Sequence, residues 1–136
     1  MLSFFKKKAA KSEEAANGKT MKAYLTGKVI PIEEVNDGVF SAKIMGDGIA
    51  IIPENEVLTA PAVGEITVVM DGSFHAVGMR LDNGVEVLLH IGVDTVGMNG
   101  EGFKPYVTVG DKVKTGDNLI GFSKSAIAAH GLRDVT

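Results

Sequence analysis

The chain has 136 residues, 45% of them hydrophobic and 23% charged, with a formal net charge of −3. One domain with a genuine core fits that length, while the acidic balance argues against a nucleic-acid surface and the absence of cysteine excludes disulfides, thiolate catalysis and cysteine-bound zinc. No apolar run approaches the roughly 20 residues that a membrane helix needs.

Residues 1–22 read as a flexible leader. Leu2, Phe4 and Phe5 precede Lys6, Lys7 and Lys8, the reverse of a signal peptide, and Ala-, Glu-, Ser- and Lys-rich sequence follows. An amphipathic turn touching a membrane through residues 1–8 is the alternative.

From residue 23 onward the pattern is one of short β segments. Lys28–Ile32 follows Gly27, Asp37-Gly38 makes a turn before a short Val39-Phe40 segment, and Ile49–Ile52 is stopped by Pro53. Val57–Pro61 and Gly64–Met70 come next. Strands so spaced, divided by Gly, Pro and Asp, predict an all-β sandwich or barrel over residues 23–136. Two internal echoes agree: Leu25–Val29 with Ala62–Ile66, and Val107–Val113 with Lys114–Leu119. The second resembles the turns of lipoyl and biotinyl barrels. No Met-Lys-Met or Asp-Lys-Ala tip is present, which argues against a swinging arm.

The stretch from Asp71 to Phe103 holds two of the three histidines. His75 opens one apolar run and His90 ends the next, with Asp82-Asn83-Gly84 between them. Asn-Gly suits the positive φ values of a tight hairpin turn. Antiparallel pairing across it brings the two imidazoles, fifteen positions apart, towards one another. A histidine in an apolar strand is commonly just a hydrogen-bonded core residue, so the pair, more than either ring, suggests chemistry. Ser123–His130 reads as one short helix, capped by Ser123 or Ser125 and ended by Gly131, with His130 on the surface.

Gly46–Ile51, Ala60-Pro61, Asn83–Val87, His90–Val96 and Asn99–Phe103 together resemble the glucose-type enzyme IIA of the bacterial phosphoenolpyruvate:sugar phosphotransferase system, over roughly residues 23–136. The resemblance implies an antiparallel β-sandwich or distorted barrel with short helical turns. It implies that His90 takes a phosphoryl group from the phosphohistidine of the carrier protein HPr and passes it to a cysteine of a IIB domain. His75 matches the assisting histidine. Ser73 stands near a family threonine that hydrogen-bonds the nucleophilic ring, and backbone amides of the Gly92 loop would help to orient the phosphoryl group. Asp37 and Asp94 match acidic positions that meet a partner's arginines, and Val39, Phe40, Leu88 and Val96 match an apolar ring around the site. No cofactor is required, although zinc shared with a partner at His75 and His90 resembles regulation in the family. Regulated permeases or kinases are further implied partners, and the implied location is the cytoplasm or the inner face of the cell membrane.

Two departures stand out. Val77 and Gly78 replace a bulky residue and a serine, which is expected to alter the partner-facing patch. Family domains also run past the position of Thr136 into further strands, so an open edge or a thinner sandwich is expected. The rival reading is a zinc hydrolase, because His90 and Asp94 spell His-x-x-x-Asp. Its later His-x-His is absent, and catalytic zinc needs three protein ligands. A purely regulatory binding module is the other alternative.

Overall fold

The computed structural model describes residues 20–136; the leader and its membrane-touching alternative lie almost wholly outside them. Among the described residues nine strands, β1 (Gly27–Pro31), β2 (Ile49–Pro53), β3 (Val57–Thr59), β4 (Gly64–Val69), β5 (Ala76–Leu81), β6 (Glu86–His90), β7 (Phe103–Pro105), β8 (Lys112–Val113) and β9 (Asn118–Phe122), precede one α-helix, α1 (Lys124–Ala129). Every pairing is antiparallel. β1 pairs with β2, β9 lies between β3 and β7, and the largest sheet runs β6-β5-β4-β8. The sheets close over one core in which Ile51, Leu58, Ile66, Val77, Met79, Leu119 and Ile120 are fully buried. A smaller cluster of Ile30, Val35 and Ala50 packs with Val93 and Val135 beside it. Strand spacing predicts the all-β architecture, and the resemblance implies the antiparallel β-sandwich that is found.

Both internal echoes have a physical basis. A Cβ on Gly27 or Gly64 would fall 2.0 or 2.5 Å from a partner-strand carbonyl, so each strand must start on glycine. In the second echo the Thr108 N–H donates to the Asp111 carboxylate at 2.9 Å and the Lys114 N–H to Asp117 at 2.8 Å. One turn is thus built twice. α1 is capped by Ser123, whose hydroxyl accepts the Ala126 N–H at 3.1 Å. His130 is exposed, and its Nε2 pairs with Glu101 at 2.8 Å, a partner the sequence does not announce.

Three local expectations need correction. The β5–β6 connection is not a two-residue turn with two positive φ values: Gly84 alone is left-handed, at φ 90°. The Gly84 N–H bonds to the Leu81 carbonyl and the Leu81 N–H to the Val85 carbonyl, each at 2.8 Å, which makes a three-residue loop. Val39-Phe40 is not a strand. The Asp37 carboxylate accepts the N–H groups of Val39, Phe40 and Ser41, and this local network competes successfully with any ladder. Val77 does not reach a partner-facing patch either, because it is fully buried against the core. Ile51 of β2 exchanges both backbone bonds with Thr136, at 2.7 and 2.9 Å.

Candidate active site

β5 and β6 deliver the two histidines to one place. Ala76 lies opposite His90 in the ladder, and the His75 carbonyl accepts the Ile91 N–H at 2.8 Å. Strand parity groups His75 with Val77 and Met79 on the core face, whereas His90 belongs with Glu86 and Leu88. The rings meet nevertheless, with centroids 4.7 Å apart and planes at 86°. His75 precedes the first residue of β5 and follows Phe74, which is left-handed at φ 51°, so alternation has ceased to govern it. His75 is 3% exposed, and His90 is half-buried.

Each ring is held through Nδ1. His90 Nδ1 lies 2.9 Å from the Gly92 carbonyl. A carbonyl only accepts, so Nδ1 carries the hydrogen and the lone pair sits on Nε2. The group expected from the Gly92 loop was an amide directed at phosphate; the contact seen there is a carbonyl that fixes the ring. Gly92 is left-handed at φ 74°, and a Cβ there would stand 2.4 Å from Thr95 Cγ2, so the turn accepts only glycine. Thr95 is itself fully buried and donates its hydroxyl to the Ile91 carbonyl. Sequence reading overlooked this threonine; its signal was a hydroxyl inside an otherwise apolar Ile-Gly-Val-Asp-Thr-Val run.

Ser73 binds the other ring from the one expected. Its Oγ lies 2.8 Å from His75 Nδ1, and it also contacts the Met70 carbonyl at 3.4 Å. When the hydroxyl donates to Nδ1, the hydrogen of neutral His75 resides on Nε2. Ser73 therefore influences His90 only through His75.

Both imidazoles are neutral at pH 7. Burial, followed by the neighbouring His90, pushes His75 down to about 4. Burial also lowers His90, although the Gly92 carbonyl and the carboxylates of Asp37 and Asp94 pull the other way. For Asp37, burial works upward, but the backbone N–H groups of Ser41, Phe40 and Val39 outweigh it and hold the acid at about 2.

The apolar positions do form a border. The Phe40 ring lies 4.8 Å from His90, tilted by 52°. Val39, Leu88 and Val96 are 44, 44 and 53% exposed, too open for core residues. Beside them runs a groove of about 640 Å³, lined among others by Phe40, Met45, Ile49, Leu88 and His90. Met45, 60% exposed, is a rim residue that sequence reading missed; its signal was an apolar residue set among turn-formers just ahead of Gly46-Asp47-Gly48.

Among the described residues, no group of three or more His, Cys, Asp and Glu side chains is arranged to hold a metal ion. Two imidazoles supply only half of a tetrahedral zinc set.

Residues 19–136 match the family model described as phosphoenolpyruvate-dependent sugar phosphotransferase system, EIIA 1. The chain belongs to this family. Among solved structures, this enzyme IIA is similar to glucose permease IIA from Mycoplasma capricolum, at 36% identity and a TM-score of 0.78, over 86% of this chain and 75% of that one. The match supports a glucose-type enzyme IIA, a phosphocarrier component of sugar uptake, and the sandwich agrees with that fold. No helix among the described residues is long and apolar enough to cross a membrane.

Proposed function

We propose that His90 Nε2 accepts a phosphoryl group from the phosphohistidine of HPr and passes it to the cysteine thiolate of a IIB domain, in the cytoplasm or at the inner face of the membrane. In the first step the Nε2 lone pair attacks phosphorus as the donor's P–N bond breaks, and the donor imidazole leaves with that electron pair. In the second, the thiolate attacks the same phosphorus and His90 recovers its neutral ring. The observation that carries this reading is the pair of imidazoles, each held at Nδ1, meeting edge to face under an exposed apolar rim.

Phosphoryl transfer asks little covalent chemistry of a protein beyond a lone pair in line and donors on the equatorial oxygens. The Gly92 carbonyl fixes the tautomer that makes Nε2 nucleophilic. In this reading the Ser73 hydroxyl donates to His75 Nδ1 at 2.8 Å in place of the Met70 carbonyl at 3.4 Å, so that neutral His75 turns an Nε2–H towards the phosphoryl oxygens. Asp37 and Asp94 give little to a bound anion and instead attract a basic partner. Val39, Phe40, Leu88 and Val96 exclude water beneath that partner.

Incubation with phosphoenolpyruvate, enzyme I and HPr is expected to give an acid-labile, base-stable phosphate mapping to His90. Phosphate found elsewhere, or none, would overturn the proposal.

A further inference from the structure

The tail that follows α1 touches both turns bordering His90. The Arg133 carbonyl accepts the Val93 N–H at 3.1 Å, while its guanidinium donates from Nη1 to the Val35 carbonyl. The first approach is close: a Cβ on Gly92 would stand 2.8 Å from the Arg133 carbonyl oxygen. Val93 and Val135, from the His90 turn and the tail, pack on the cluster that contains Val35. One residue thus joins two turns. Its backbone grips the turn whose Gly92 carbonyl orients His90, and its side chain grips the 3-10 turn, Ile32–Val35, that leads into Asp37.

Neither turn belongs to the ladder of the large sheet, so strand pairing alone does not set the distance between them. In the function proposed above, on which this inference rests, one turn aims the nucleophile and the other meets the partner. A partner that touches both turns at once docks well only while their spacing is fixed, because any ordering left to the moment of binding weakens it. A guanidinium suits the task. It is always charged, its donors form a rigid planar fork, and a charge-assisted bond to a carbonyl is stronger than a neutral one.

We propose that Arg133 is a positioning residue for phosphoryl transfer, holding the Asp37–Phe40 turn at a fixed distance from the His90 turn. Arg133→Met is expected to raise the KM for phospho-HPr about tenfold, the loss of one such hydrogen bond, with kcat within about twofold. Hydrogen exchange at the Val39, Phe40 and Ser41 amides should quicken, while the Val77 and Met79 amides of β5 keep their protection. Arg133→Lys, which retains a cationic donor, should recover most of both effects. The proposal requires the KM and the exchange changes together, so either one unchanged overturns it. Faster exchange spread equally over β5, or lysine behaving like methionine, would make Arg133 merely structural and also overturn it.

Exchange needs no phosphate. If wild-type protein took up none at His90, the function reading would fall, and the turn-to-turn contact would be judged on exchange alone. Should Arg133→Met not fold, side-chain NMR of the wild-type protein decides: a slowly exchanging Arg133 Nη–H is expected, and rapid exchange of all of them overturns the contact.

Discussion

The β5–β6 hairpin and the turn spanning residues 36–46 border the same imidazole but are made by different forces. The hairpin is held by a ladder running from Ala76↔His90 to Arg80↔Glu86, with Val77, Met79 and Leu89 buried beneath it. The turn has no ladder. One carboxylate, Asp37, gathers three amides, and exposed pairs from Lys43 to Glu33 and Asp47 lie at its far side. The His pair therefore rests on a laddered hairpin backed by the core, and Val39 and Phe40 rest on a turn held by local bonds, which is expected to open the more readily of the two. In the relay proposed above, such a division would hold the reacting nitrogens still while the rim adapts to two different partners.

The largest test strikes the hairpin. His90→Ala is expected to abolish phosphate incorporation with no loss of fold, measured by labelling and circular dichroism; residual labelling would move the nucleophile elsewhere. His75→Gln should still accept phosphate, while delivery to IIB falls about a hundredfold because the amide cannot place its N–H where the ring's Nε2–H stood. Unimpaired delivery would remove His75 from the mechanism.

Gly92→Ala tests the junction between the two regions. The left-handed backbone and the contact with Thr95 should cost about 1–3 kcal/mol of stability in chemical denaturation and slow transfer as the orienting carbonyl shifts. Full activity would show that the carbonyl does not set the tautomer.

Acid titration separates the regions by pH window, with the same sign in both. His75 has a folded pKa of about 4, below its ordinary value near 6.5, so the unfolded chain binds more protons between those limits. Its contribution to stability is fully present above about 6.5 and is lost as pH falls towards 4; His75→Gln should flatten thermal melts over that window. Asp37, also depressed, contributes above its ordinary value of 3.8, and that contribution disappears as pH falls towards about 2. The hairpin should thus feel acid first.

The smallest effect is reserved for the turn's outer side. Lys43→Ala removes only exposed pairs and should leave the melting temperature unchanged. A clear drop would show that the turn is more tightly built than its hydrogen bonds suggest.

Much of this was legible from one dimension. Glycine, proline and aspartate punctuation marked the strands, because a strand end needs backbone angles or missing donors that few residues supply. Ser123 marked its helix start for the same local reason. The two histidines were visible as a pair because a hairpin is a short-range object whose ends must meet. Three particulars were hidden. The Ser73 hydroxyl had two rings within reach of a register guess, and only the left-handed Phe74 decided between them. Val39-Phe40 had strand composition, yet the Asp37 carboxylate took its amides first. Arg133 had no motif at all.

What the sequence alone determined was therefore the local chemistry: where strands stop, which two histidines a hairpin brings together, and which glycines mark turns. Tertiary structure decided which nitrogen of each ring remains for chemistry, which apolar side chains stay in solvent, and how the tail at Arg133 ties Val93 to Val35. The reason is physical. Turns and strand ends are governed by neighbours a few bonds away, whereas tautomers, exposure and clamps depend on atoms brought close only when separate sheets close on one another.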